Sequence, residues 1–180
     1  MEALLIIDMQ VGLFTDTPRF DAKSVINRIN RLSRHFRDQG KPVVFIRHDG
    51  SKENFLIHGS PDWEVLPDLI QDKKDKWIEK TANDAFYKTS LNDCLKQNRV
   101  STLYITGCAT DFCVNATLHS ALVKDYDIIV VKDAHTTADR PTLPAREIIE
   151  FHNWLWENLT PTEGRISVKT TDDIVPAGSD

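Results

Sequence analysis

The sequence has few cysteines, no long apolar run and no excess of positive charge, and each absence excludes a class of protein. Three cysteines at irregular spacing do not form a disulfide framework, so we expect a cytoplasmic location, where thiols stay reduced. No apolar stretch approaches the ~20 residues that span a bilayer, and the first residues lack the basic region of a signal peptide. The net charge of −5 argues against nucleic acid or an anionic membrane surface as a partner.

The composition that remains is that of a folded protein. Hydrophobic residues make up 41% and charged residues 27% of the 180 residues, which is enough to build one sizeable core. The chain contains no internal repeat, low-complexity segment or linker. We therefore predict a single domain over residues 1–180.

Short apolar runs, rich in leucine and β-branched residues, predict the strands. None of them alternates with polar residues, which is typical of strands buried on both faces in a parallel sheet. Four clear runs lie at residues 4–7, 43–46, 103–106 and 128–131, and two weaker ones lie at 76–78 and 165–169.

Helical patterns separate these runs. Val25, Ile29, Leu32 and Phe36 form one apolar stripe at helical spacing, and the last helix is predicted over residues 143–158. Strands that alternate with helices predict an α/β fold. We expect a three-layer sandwich whose mostly parallel, Rossmann-like sheet of about six strands has helices on both faces.

One long segment, from residue 49 to about residue 75, has little periodic pattern. Loops of this length are uncommon in compact domains and often bind ligands. Trp63, Val65 and Leu69 are apolar enough to pack on the core, which favours an ordered loop over a disordered insertion.

Cys113 is the residue whose position carries the clearest chemical meaning. It follows the predicted strand at 103–106 after a short turn and precedes a helical pattern. Free backbone N–H groups and the positive end of a helix favour the thiolate, so we expect its pKa below the free-thiol value of about 8.5. This is where a protein places a nucleophile.

Two further polar residues follow predicted strands. Asp8 comes directly after residues 4–7, and Lys80 lies just beyond residues 76–78. Ligands of open parallel sheets bind beyond the carboxyl ends of the strands. There a carboxylate can take the proton of a thiol, and a lysine can stabilise the thiolate. Backbone N–H groups of Ala109 and Cys113 are candidates for an oxyanion hole.

The order of these residues resembles the isochorismatase-like cysteine hydrolase family, which also contains the nicotinamidases. The resemblance extends from residue 3 to about residue 170, and the ordered set is far more specific than any single piece. The matching residues are LIIDMQ at 5–10, Arg47 and His48, Lys80 with DAF at 84–86, the segment 105–114 that ends in Cys113 and Val114, Thr117, Leu118 and Ala121, and VVKDA at 130–134.

The resemblance implies a catalytic triad of Asp8, Lys80 and Cys113. The cysteine would attack a carbonyl carbon of a small molecule and form a thioester, with the aspartate as general base and then acid. The resemblance also implies a cis peptide bond at Cys108–Ala109, which turns the Ala109 N–H toward the oxyanion. The resemblance implies a homo-oligomer, and it implies no cofactor.

Several side chains near these motifs are candidates for the substrate pocket. Aromatic residues at such a site suit a planar substrate, although core packing explains them nearly as well. The candidates for substrate binding are Gln10, Phe14, His48, Phe86 and Phe112.

Family members that hydrolyse the vinyl ether of isochorismate typically lack the cysteine, so Cys113 favours cleavage of an amide-type C–N bond. Three alternatives stay open. A non-catalytic binding domain could keep the fold, but the intact set of Asp8, Lys80 and Cys113 speaks against it. A metal-dependent nicotinamidase would need an Asp-x-His motif, but Ser51 stands at the histidine position here, which leaves Asp49 and His58 as metal candidates. A thiol redox protein would use Cys113 with Cys108 as the resolving thiol.

Overall fold

The computed structural model describes residues 1–176, and residues 177–180 of the predicted domain lie outside the described part. Six strands form one sheet in the order β3-β2-β1-β4-β5-β6, and every neighbouring pair is parallel. Their bounds are β1 Glu2–Ile7, β2 Val43–His48, β3 Lys76–Lys80, β4 Thr102–Cys108, β5 Asp127–Thr136 and β6 Ile166–Lys169.

Helices cover both faces of the sheet. They are α1 Gly12–Thr15, α2 Ala22–Asp38, α3 Leu91–Gln97, α4 Asn115–Leu122, α5 Ala145–Glu157 and α6 Thr171–Ile174. One apolar cluster joins one face of the sheet to α2, and a second joins the other face to α3, α4 and α5. The predicted three-layer α/β sandwich is therefore confirmed. No helix within residues 1–176 has both the length and the apolar character needed to cross a bilayer.

The apolar patterns explain why these elements form where they do. Leu4 and Ile6 point to one cluster while Leu5 and Ile7 point to the other, so β1 is buried on both faces. The predicted stripe of α2, from Val25 to Phe36, is buried against the sheet.

The long segment between β2 and β3 is ordered, as predicted. Trp63, Val65 and Leu69 are buried, and short 3-10 turns cover Ser51–Glu53 and Pro61–Trp63. The Leu66 N–H donates to the Met9 carbonyl at 2.9 Å, which ties the segment to the loop after β1. The segment therefore forms a fixed wall next to the carboxyl end of the sheet.

Gly107 controls how closely β4 approaches β1. Its φ is +120°, and a Cβ placed there would lie 2.1 Å from the Ile7 carbonyl oxygen. Only glycine fits such a backbone position without displacing β1. Because Ile7 directly precedes Asp8, this close approach sets the distance between the end of β1 and the turn that carries Cys113.

Candidate active site

The site lies where the strand order reverses, between β1 and β4. Asp8 follows β1 in a left-handed conformation with φ of 47°, and Cys113 follows β4. Parallel sheets bind their ligands at such a switch point. Lys80 ends β3, two strands from β1, and the Lys80 and Asp8 side chains together bridge the space at the end of β2.

The Lys80 ammonium brings the three predicted catalytic residues together. Its Nζ lies 2.7 Å from Asp8 Oδ2 and 3.3 Å from Cys113 Sγ. Asp8 and Cys113 are thus at most two hydrogen-bond lengths apart. Lys80 also donates to the Ala82 carbonyl at 3.0 Å and lies 3.3 Å from His48 Nδ1. The Lys80 and Asp8 side chains are almost fully buried, so they form a desolvated ion pair.

This environment changes the expected acidity of the nucleophile. Burial raises the pKa of the Cys113 thiol, the Asp8 charge raises it further, and the Lys80 charge only partly opposes them. The expectation of a depressed pKa is therefore wrong, because desolvation and the neighbouring carboxylate outweigh the positive groups. The thiol is protonated at rest, and its Sγ lies 3.6 Å from Asn83 Oδ1, to which it donates.

The pKa of Lys80 is raised, which keeps its ammonium charged. Burial alone lowers the pKa of its ammonium, but the Asp8 charge raises it above the ordinary value, and a Cys113 thiolate adds to that effect when it forms. Burial and the Lys80 charge lower the pKa of His48, which leaves that imidazole neutral. With Nδ1 facing the ammonium as an acceptor, the neutral ring carries its proton on Nε2.

Cys113 sits within a π-helical turn, Thr110–Val114, that leads into α4. Such turns occur mostly as single insertions at functional sites. The sequence predicted a helix start here but not this geometry. The Cys108–Ala109 peptide is cis, in agreement with the resemblance, and both Ala109 and Cys113 line the cavity described next.

A cavity of about 240 Å³ opens above these residues. Two of its lining residues, His48 and Phe112, are among the predicted substrate-binding residues. Sequence reasoning had no role for the lining side chains contributed by loops, although Arg140 lies just beyond the end of β5 at the carboxyl edge, which is a usable signal. The residues without a predicted role are Leu13, Arg19, Phe55, Leu56, Asn83 and Arg140.

Gln10 does not line this cavity. Its amide nitrogen donates to the carbonyls of His48 at 3.0 Å and Trp63 at 2.9 Å, and its Oε1 accepts from the His48 N–H at 2.8 Å. The side chain is fully buried. Gln10 therefore braces the end of β2 against the long segment, and its hydrogen-bonding groups are already occupied.

Phe14 and Phe86 also lie outside the cavity lining. Phe14 packs against the cluster on the α2 face of the sheet. Phe86 is buried in the opposite cluster, where its ring stacks on Tyr126 at 5.9 Å between centroids. Both phenylalanines therefore pack in the core, which is the alternative to their predicted role in substrate binding.

The groups considered for a metal have other partners. Asp49 Oδ1 accepts hydrogen bonds from the backbone and the hydroxyl of Ser51, which lower the pKa of Asp49. His58 Nε2 lies 3.4 Å from a Glu79 carboxylate oxygen, and its ring packs on Trp63. In the described part of the chain no three His, Cys, Asp or Glu side chains are grouped to hold a metal ion. These residues therefore do not supply the donor set of a nicotinamidase-type metal site.

An aspartate, a lysine and a cysteine meeting at the switch point of a parallel sheet define an α/β protein with a thiol-centred site. Residues 2–165 match the model of the isochorismatase domain, so the chain belongs to the isochorismatase family. The prediction of the family is confirmed, and relatives that the chain matches carry hydrolase and amidase names.

Individual relatives agree with this assignment. The chain is 30% identical over 145 residues to a streptothricin hydrolase of Streptomyces noursei, which covers 80% of this chain; the chain spans only 58% of that protein's length. The crystal structure of an isochorismatase family protein superposes with a TM-score of 0.84 at 30% identity, covering 92% of this chain and 97% of the other. N-carbamoylsarcosine amidase from Thermoplasma acidophilum gives a TM-score of 0.76 at 25% identity, covering 95% and 96%.

Proposed function

We propose that the protein hydrolyses an amide-type C–N bond of a small molecule through a thioester on Cys113. The observation that carries the proposal is the Lys80 ammonium in contact with both Asp8 and Cys113. Relatives with amidase and hydrolase names support the reaction class. A buried carboxylate, a protonated thiol and a fixed cation are the parts that acyl transfer requires.

The first half of the reaction forms the thioester. Asp8 removes the proton from Cys113 as Sγ attacks the amide carbonyl carbon, and the carbonyl π electrons move to oxygen. Backbone N–H groups of Ala109 and Cys113 stabilise that oxyanion in the proposed mechanism. When the tetrahedral intermediate collapses, Asp8 returns the proton to the departing nitrogen, and ammonia or an amine leaves.

The second half consumes water. Asp8 takes a proton from a water molecule as the water oxygen attacks the thioester carbon, and the C–S bond then breaks. The proton returns to the Cys113 sulfur, and the carboxylic acid product leaves. Lys80 pairs with the Asp8 carboxylate and stabilises negative charge on sulfur in both halves.

The redox alternative is less well supported by the surroundings of Cys108. A resolving thiol must be accessible and partly ionised. Cys108 is fully buried, and burial, together with the charges of Asp8 and Asp111, raises its pKa to about 12. Within residues 1–176 all three cysteines are free thiols.

Ammonia release from a panel of small primary amides tests the proposal. We expect the wild-type protein to release ammonia from at least one amide, and Cys113→Ala to lose that activity by at least about 100-fold. Cys94→Ala is the matched control, since Cys94 lies on α3 away from the cavity. Activity that survives Cys113→Ala would overturn the proposal.

A further inference from the structure

One positively charged side chain at the cavity has no carboxylate partner among the described residues. Lys80 pairs with Asp8, and Arg140 pairs with Asp111 through two contacts of 2.7 and 3.0 Å. Arg19 also lines the cavity, but no carboxylate in residues 1–176 forms an ion pair with it. The neighbouring Asp21 is already engaged with Ser24 and Arg28.

Arg19 is nevertheless held in place. Its Nε donates to the Leu13 carbonyl at 2.6 Å. The next residue, Phe20, is pinned to the end of β5: its N–H donates to the Thr137 carbonyl at 2.9 Å, and its carbonyl accepts from Thr136 Oγ1 at 2.6 Å. The guanidinium is therefore anchored through one nitrogen, while its two terminal nitrogens have no hydrogen-bond partner among the described residues.

The charge of Arg19 acts within the site. Arg19 lowers the pKa of Cys108, at the end of β4, and the Asp8 charge acts on the same thiol in the opposite sense. The walls around it are apolar side chains of Leu13, Phe55 and Phe112. The cavity thus has a nucleophile, an apolar wall and a separate cation without a carboxylate partner among residues 1–176.

We propose that Arg19 binds a carboxylate carried by the substrate, so that the preferred substrate is the amide of a small molecule bearing a second, anionic end. This inference rests on the proposed function and adds its substrate class. A planar guanidinium whose two terminal nitrogens have no partner among the described residues matches a carboxylate in bidentate geometry. The net charge of −5 gives the whole protein no general attraction for anions, so a local cation is needed to select them.

Calorimetric titration with product-like acids tests the inference without requiring hydrolysis. Succinate and butyrate, glutarate and pentanoate, and adipate and hexanoate are pairs of equal chain length that differ only in the distal carboxylate. We expect at least one dicarboxylate to bind the wild-type protein at least about tenfold more tightly than its partner, which corresponds to about 1.4 kcal/mol.

The variants assign that preference to one residue. Arg19→Gln is expected to reduce the ratio of the two dissociation constants to within about twofold, and Arg19→Lys, which keeps the charge but loses the planar fork, to give an intermediate ratio. Arg146→Gln is the matched control, because Arg146 lies on the exposed face of α5 and pairs with Glu150. It should retain the wild-type ratio.

The results separate this inference from the proposed function. A wild-type protein that binds no dicarboxylate more tightly than its partner, or an Arg19→Gln variant that keeps the preference, overturns the carboxylate subsite even if amides are hydrolysed. A preference that depends on Arg19 supports the subsite even if no amide in the panel releases ammonia.

Discussion

Asp8 acts on Cys113 in two opposing ways, and one substitution separates them. Burial is the larger cause of the raised thiol pKa, and the Asp8 charge raises that pKa further. Catalysis, however, needs the same carboxylate to accept and return a proton. Asp8→Asn should therefore lower the pKa of Cys113 while Lys80 still stabilises the thiolate. We expect alkylation by iodoacetamide near pH 7.5 to become about 3- to 10-fold faster, as the thiolate fraction rises.

Hydrolysis should respond in the opposite sense. Without a proton acceptor, Asp8→Asn is expected to lose at least about 100-fold in ammonia release, although its thiol is more reactive. Lys80→Met provides the comparison, since loss of the cation should slow alkylation and hydrolysis together. Slower alkylation in Asp8→Asn would show that the carboxylate promotes the thiolate at rest, contrary to this account.

Individual residues also show what sequence reasoning could reach. Asp8, Lys80 and Cys113 were candidates because polar residues after parallel strands share one edge of the sheet, and the resemblance to the family implied that they form a triad. Arg19 and Phe55 received no role, because the loops that place them are fixed by distant contacts, such as Phe20 with Thr137. Gln10 was assigned to the substrate by proximity along the chain, whereas its partners are backbone atoms of β2 and the long segment.

Among the elements, β1 and β4 determine the geometry of the site through Gly107. Gly107→Ala should destabilise the protein by about 2–5 kcal/mol, since the new Cβ meets the Ile7 backbone at a φ that other residues rarely adopt. Gly40→Ala is the matched control: its φ is +65°, but no atom lies within 4 Å of the added Cβ. Urea unfolding should show the larger loss for Gly107→Ala, and equal losses would contradict the role given to the close approach.

The elements themselves were largely predictable from apolar patterns, and the exceptions have local causes. The run at 128–131 was predicted as a strand, but β5 extends to Thr136 past an irregularity in its pairing with β4 near Gly107. Between the pairs Ile105–Val130 and Gly107–His135, β5 has three more residues than β4, and an apolar run does not reveal such an irregularity. The π-helical turn at Cys113 was likewise invisible, since its residues also suit an ordinary helix start.

For the whole molecule, the buried imidazole of His135 predicts a loss of stability in acid. Burial lowers the pKa of His135 from 6.5 to about 4, with Thr110 and Asn153 as its hydrogen-bond partners. Between these pH values the unfolded chain binds a proton that the folded protein does not, so the free energy of unfolding falls as the pH drops from about 6.5 to about 4. At about 1.4 kcal/mol per pKa unit the loss approaches roughly 3 kcal/mol.

Urea unfolding at pH 7 and at pH 4.5 measures this effect. His135→Asn should be less stable than the wild type at pH 7 but lose less stability between the two pH values. His119→Asn, at an exposed position on α4, should keep the wild-type pH dependence. An unchanged dependence in His135→Asn would assign the acid sensitivity to other groups.

Intact-mass analysis of an acid-quenched reaction tests the central claim most directly. An amide that releases ammonia is mixed with the protein, the reaction is stopped within the first turnover, and the peptide containing Cys113 is sequenced by tandem mass spectrometry. The account predicts an added mass equal to the acyl part of the substrate on the Cys113 sulfur, and no such adduct in Cys113→Ala. Ammonia release with the acyl group found on another residue would contradict it.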